Sequence, residues 1–276
     1  MGNRFFAAGS FLLLFLLTSC IPKAILAPLP PLTTPGEVYH LLQDRERGST
    51  PFRAIVTVQP VSSQRFPPVE AALRFEPPDK LHLRGLSPLG VTLFDMESGG
   101  GAVRLDLKDG RVFSGPPSVL SPFFDGRMPM TLDQVEEALH VYDVDSGPEA
   151  MFFLSEDSRH YILSKIDVVG GCSAASKGSA VGEKCWAYPL KTWWVEKKTR
   201  HLVRKEIFRD PEAGNENPGR KVLIIEYSDF QGVPSADRTG DGSWIPRRMT
   251  LKKPDGTSLV DLVFHEIHVG DEDPGT

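Results

Sequence analysis

The chain has 276 residues, 40% of them hydrophobic and 24% charged, which is the range of an ordinary globular protein and excludes a disordered or fibrous one. That length allows one large domain or two small ones. A formal net charge of −5 argues against nucleic acid as a partner, which calls for a basic surface.

The N-terminal segment carries one cation, Arg4, before an apolar run from Phe5 to Leu17. The run is too short to span a bilayer, which takes about 20 residues. With the small residues that follow, it reads as a secretory signal peptide over residues 1–19. Leu17-Thr18-Ser19-Cys20 resembles the lipobox of bacterial lipoproteins, whose cysteine is lipid-modified and becomes the new N-terminus. The resemblance implies a covalent lipid (palmitate among its acyl groups) on Cys20 and no other cofactor. One buried acyl chain anchors marginally, at about 0.8 kcal/mol per CH₂, whereas several hold a protein on the membrane essentially permanently. N-myristoylation is excluded, because Phe6 stands where that pattern needs Ser or Thr. Ile21 follows the cysteine, where Asp would signal retention at the inner membrane of a Gram-negative cell. The implied location is therefore the periplasmic face of the outer membrane.

Residues 20–35, with Pro22, Pro28, Pro30, Pro31 and Pro35, read as an extended tether between anchor and domain. A domain is expected over residues 36–270. It opens with a short helix from Pro35 to Glu46, on which Val38, Leu41 and Leu42 share a face. Strands follow at Phe52–Val58, Val69–Phe75, Leu81–Gly85, Val91–Phe94, Val103–Leu107 and Arg111–Phe113, the last two joined by the Asp109-Gly110 hairpin signal. A second helix is expected from Thr131, a capping residue, with Leu132, Val135, Leu139 and Tyr142 as its apolar stripe. Strands resume at Met151–Leu154, Tyr161–Leu163, Trp186–Val195, His201–Phe208, Val222–Tyr227, Ile245–Lys252 and Leu259–His268, with Pro254-Asp255-Gly256 as the last hairpin turn. Residues 271–276 read as a disordered tail.

Consecutive strands with short connections predict a mainly β (α+β) protein with one meandering antiparallel sheet, apolar on one face and covered there by the helices. Alternation points Phe52, Ala54, Val56, Leu73, Phe75, Leu81, Leu83, Leu93 and Leu105 inward, with Leu132, Val135 and Leu139 above them. Periodicity alone fits an open cavity and a filled core equally well.

Cys172 and Cys185 flank a small polar loop. In an oxidising periplasm a disulfide is the expected state, stabilising by roughly 3 kcal/mol in the chain-entropy model. A metal pair lacks a third ligand nearby, and a redox pair favours Cys-x-x-Cys spacing.

Catalytic signals are sparse. Strand alternation predicts His265 and His268 on opposite faces, unsuited to share a metal. Asp237 to Gly242 resembles a calcium loop, but Thr239 and Arg248 occupy positions where an EF-hand needs acids. No nucleophile elbow or phosphate-binding loop occurs. Trp193-Trp194 places one indole on each face of a strand, and a glycan platform is the third-ranked reading of the chain.

Several segments in order are similar to the LolA/LolB superfamily of lipoprotein-handling proteins, LolB more closely. They are the lipobox and helix, the strand and turn Leu81-His-Leu83-Arg-Gly85-Leu-Ser-Pro88-Leu89-Gly90, the hairpin from Val103 to Val112, Gly126-Arg-Met-Pro129 before the second helix, and Trp244-Ile-Pro246-Arg-Arg-Met249-Thr-Leu251 with Asp255-Gly256. The cysteine loop and the insertions at Asp210–Gly219 and Ser235–Gly242 depart from the pattern. The resemblance implies an incomplete barrel whose concave face, closed by helices, holds acyl chains of a lipoprotein or lipid received from a soluble periplasmic carrier. Pro88, Leu89 and Gly90 would form the turn that enters the membrane and releases cargo. A monomer without metal, nucleotide or catalytic residues is expected. The alternative is a structural or partner-binding envelope lipoprotein with a filled core.

Overall fold

The computed structural model describes residues 29–61, 67–120, 131–144, 151–169, 186–208, 219–233 and 243–270. The chain divides into two units, Met1–Pro31 and Leu32–Thr276, and every helix and strand described lies in the second. Cys20, the Cys172–Cys185 loop, Gly126–Pro129, the calcium-like loop and the tail lie outside the described residues, as do most of the inserted loops.

Helix α1 spans Pro35–Arg47. Thr34 caps it: its hydroxyl accepts from Glu37 N, and the Glu37 carboxylate accepts from Thr34 N at 3.0 Å, so two orphan N–H groups are satisfied reciprocally. Pro35 fits the first turn, where a missing N–H costs nothing. Val38, Tyr39 and Leu42 are buried, and Leu41 packs beside them. Helix α2, Leu132–Leu139, has the same box, built from Thr131 and Gln134.

The strands are β1 (Phe52–Pro60), β2 (Val69–Glu76), β3 (Lys80–Leu86), β4 (Thr92–Gly99), β5 (Ala102–Leu107), β6 (Val112–Gly115), β7 (Phe152–Glu156), β8 (His160–Val169), β9 (Trp186–Glu196), β10 (Leu202–Phe208), β11 (Lys221–Val233), β12 (Ser243–Lys252) and β13 (Ser258–Val269). They form one 13-stranded antiparallel sheet in the order β6-β5-β4-β3-β2-β1-β13-β12-β11-β10-β9-β8-β7. The sheet is thus two meanders joined where the first strand meets the last, with Phe52 opposite Val269 and Val58 opposite Leu262. Strands β6 and β7 lie at its two edges, so the curved sheet stays open. Helix α2 sits in sequence between those edge strands and crosses the inner face.

The two hairpin signals form turns as expected. Gly110 and Gly256 adopt φ of 84° and 86°, a region open to glycine, and each closes its turn with a backbone hydrogen bond of 2.9 Å.

Alternation holds along most strands. Val56, Leu73, Phe75, Leu81, Leu105 and Phe264 are nearly or fully buried in one contiguous core, and Leu83 packs against it. Leu93 corrects the expectation. Phe94 and Met96 lie opposite Leu107 and Leu105 and carry the inward period of β4, which leaves Leu93 on the outer face with Asp95 and Glu97. The two histidines of β13 are a second correction. A bulge opposite Ala54 and Val56 inserts one extra residue into β13 and resets its alternation. Phe264 and Ile267 therefore face inward, while His265 and His268 are both exposed on the outer face. The His265 ring bonds the Thr57 hydroxyl at 2.8 Å.

Phe264, fully buried at the junction of the two meanders, should cost about 3–5 kcal/mol on truncation to Ala. A denaturant titration of Phe264→Ala checks this, and a loss below 1 kcal/mol would show that the junction is not part of the cooperative core.

Candidate functional site

The inner face holds charge as well as apolar side chains. Lys205 on β10 is fully buried and Lys191 on β9 nearly so. Both point up at the last turn of α2. The Lys205 ammonium donates to the carbonyls of Glu137 and His140, at 2.6 and 2.7 Å, and lies 2.7 Å from the Glu137 carboxylate. Lys191 meets the same carboxylate at 3.0 Å and that of Asp143 at 2.7 Å. Tyr227 donates to the Ala138 carbonyl at 3.2 Å and Trp193 to the Asp143 carbonyl at 3.1 Å. A helix leaves its last carbonyls unsatisfied and bears negative charge at that end, so a buried cation beneath it is doubly matched. The sheet thereby bolts the helix in place through polar contacts at its C-terminal end. At mid-helix, the Ser98 hydroxyl on β4 donates to the Glu136 carboxylate at 2.5 Å.

Burial alone would raise the Glu137 carboxyl. The ammonium groups of Lys205 and Lys191 outweigh it and hold the group below its ordinary value. For Lys205, burial dominates and lowers it. Burial likewise lowers the neighbouring His140, with the Lys205 charge adding to the effect.

Helix α2 and this cluster divide the inner face. Toward β3, β4 and β5, the expected cavity residues Val56, Leu73, Leu81, Leu105 and Leu132 are core side chains, with Val135 packed against them. On the other side of the helix terminus a cleft of about 600 Å³ stays open. Phe52, Phe75, Leu139, Ile245 and Met249 give it an apolar wall, Pro77 and Pro78 stand at one end, and Arg45, Tyr142 and Trp244 stand at another. Of the residues predicted to form a cavity, Phe52, Phe75 and Leu139 line this cleft. Its volume lies within the range of small-molecule sites, about 300–1,000 Å³.

The Pro88-Leu89-Gly90 turn lies elsewhere. Gly90 takes φ of 75° and donates to Ser87 O at 2.8 Å, so the tight turn leaves Leu89 90% exposed. Leu89 does not fold back into the core. The turn follows the end of β3 at which Leu86 pairs with Glu70, whereas Phe75 sits at the other end of β2. Five residues of strand separate those rows, about 17 Å. Val61, Val91 and Val112, also exposed, share the rim with Leu89. The structure therefore does not bring the turn and the cleft together.

No family model matches the chain, and no curated protein matches its sequence. Solved structures do. A candidate outer membrane lipoprotein-sorting protein domain from Vibrio parahaemolyticus superposes with a TM-score of 0.50 at 12% identity, covering 88% of this chain and 95% of that one. A DUF1329 family protein from Desulfovibrio piger gives 0.50 at 13% identity, with 88% and 95% covered. The chain shares their fold.

Sequence reasoning missed Lys191, Lys205, Glu137 and Asp143. Lys191 alternates with Trp193 and Val195 and could have been read as an inward lysine. Lys205 could not, because a bulge between Leu202 and Arg204 shifts its side of the strand. The tryptophan pair divides between faces as expected. Trp193 is buried, and the Arg204 guanidinium covers Trp194 at 5.3 Å, taking a ring face that a sugar would need.

Replacing Lys205 with Met should cost about 3–5 kcal/mol, because Glu137 and two carbonyls lose a buried partner. The acid profile should change too. Because the Glu137 carboxyl is depressed in the folded state, its stabilisation is complete above the ordinary glutamate value of about 4.3 and is lost as pH falls through the lower folded value. In Lys205→Met that loss should begin at higher pH, and thermal melts from pH 2 to 7 compare the two directly.

Proposed function

We propose that this protein is a lipid-anchored envelope carrier or acceptor that binds an acyl chain in the cleft beside α2 and handles lipoproteins or lipids at the outer membrane without catalysis. The observation that carries the reading is the open, apolar-walled cleft in a fold shared with a domain named for lipoprotein sorting. The anchor comes from the lipobox resemblance at Cys20. Transfer toward a membrane would follow from differential affinity among carrier, acceptor and bilayer, with each buried CH₂ contributing about 0.8 kcal/mol.

The cleft of about 600 Å³ has room for at least one acyl chain, since a chain of about sixteen carbons at about 30 Å³ per methylene needs on the order of 500 Å³. The filled half of the inner face favours a second reading, a partner-binding lipoprotein that uses the fold as a scaffold.

The Leu89 rim is assigned to membrane contact, separately from the cleft. A leucine 90% exposed at the tip of a turn contributes little to folding, and apolar side chains gathered on one rim suit a membrane or partner surface.

Native mass spectrometry of the compact unit from Leu32 onward, made without its lipid anchor and purified without detergent, tests the cleft. The expected result is a co-purified single-chain or similarly small acyl ligand, lost in Met249→Trp, which would fill the cleft. An empty wild-type protein that also fails to take up added myristate would leave the partner-binding reading. Leu89→Glu should unfold at the wild-type midpoint yet bind and deliver ligand to phospholipid vesicles at least tenfold more slowly. Unchanged vesicle transfer would remove the rim from the mechanism.

A further inference from the structure

The mouth of the cleft holds a cation whose partners differ from those of every neighbouring charge. Arg45 projects from α1 over the Tyr142 ring, with its guanidinium carbon 5.6 Å from the ring centroid. One of its nitrogens donates to the Tyr142 hydroxyl at 3.3 Å. Guanidinium has five N–H donors. Among the described residues, no carboxylate comes within ion-pair distance of Arg45.

The acids that also border the cleft are engaged elsewhere. Asp44 lies 3.7 Å from Arg47, Asp143 accepts from Lys191 at 2.7 Å, and Glu46 accepts from the Val144 N–H at 3.5 Å. Neighbours in sequence on a helix do not face one another, so Asp44 and Glu46 diverge from Arg45. The surroundings of Arg45 are aromatic. Trp244, 41% exposed, meets the His201 ring in a tilted contact at 4.9 Å, and His201 meets Phe230 in another at 4.3 Å. Burial lowers the His201 imidazole, and the charge of Arg45 lowers it further. Below the mouth the wall is Phe52, Phe75, Leu139 and Met249.

We propose that this end of the cleft reads the charged end of its ligand, with Arg45 selecting an acyl chain that terminates in a carboxylate or phosphate. The proposal rests on the acyl-binding reading and adds a head-group preference to it. The guanidinium fork matches both anions bidentately and is held over an aromatic ring that limits its freedom. The apolar wall takes the tail. A neutral or zwitterionic head would leave the fork with water or bring a second cation against it.

The experiment uses the compact unit from Leu32 onward, free of the lipid anchor, and three probes with the same fourteen-carbon chain: myristate, myristoyl-lysophosphatidylglycerol and the non-ionic myristyl maltoside. Calorimetry at low salt should show the wild type binding at least one anionic probe ten or more times more tightly than the maltoside. Arg45→Gln should bring that probe down to the maltoside level while leaving maltoside affinity unchanged, and Arg45→Lys should retain part of the preference. Preference for myristate would identify a free carboxylate as the ligand group, and preference for the lysophospholipid a phosphate. Thermal melts of each variant report folding. Equal affinity for all three probes, or an Arg45→Gln protein that keeps the anion preference, overturns the head-group assignment and leaves acyl binding intact. Failure of all three probes to bind the wild type overturns both. Arg45 serving only to hold Tyr142 would show as an equal loss for all three probes.

Discussion

A lysine ammonium buried in the floor of an apolar face has to be saturated, and the position of α2 follows from that requirement. Lys205 takes two carbonyls and the Glu137 carboxylate from the last turn of the helix, and Lys191 shares that carboxylate and takes the one on Asp143. A greasy helix lying on a greasy sheet could slide, since such contacts are non-directional. Hydrogen bonds to a buried cation cannot be stretched without stranding charge in a low-dielectric interior. The helix is therefore registered against β9 and β10, and its end separates the packed part of the inner face from the open part.

That division gives the protein two unlike ends. The cleft is walled by the β1, β2 and β12 residues nearest α1, with Arg45 and an aromatic cluster at its mouth. The rim at the opposite ends of β1 to β6 carries Leu89 and its exposed valine neighbours. In the proposed scheme ligand recognition and bilayer contact are thus separate events. A helix fastened by ions suits a carrier that fills from its mouth better than one whose cover swings away.

The strands were legible because a sheet buried on one face writes alternation into its sequence, and Asp109-Gly110 and Pro254-Asp255-Gly256 marked turns by chemistry that few other pairs supply. The N-terminal part of the first helix was legible from its apolar stripe, and that of the second from its Thr131 cap and stripe. What stayed hidden has two physical sources. Bulges change which side of a strand a residue faces without changing its sequence pattern, which misplaced His268 relative to His265 and concealed Lys205. Empty space leaves no mark either: Phe52 beside the cleft and Val56 inside the core have the same inward alternation, and which of them borders a void depends on where α2 is fastened. Leu93 was misread for a simpler reason, since Phe94 and Met96 compete with it for the inward phase and are bulkier partners for Leu107 and Leu105.

The pairing of Phe52 with Val269 bears on how the polypeptide reaches this shape. A ribosome delivers β1 first and β13 last of the thirteen strands described, so one side of the first strand waits for its neighbour while the eleven between them are made. Contacts so distant in sequence fold slowly, and an unmated strand invites illegitimate pairing meanwhile. Release from holding chaperones only after β13 has emerged would suit this connectivity.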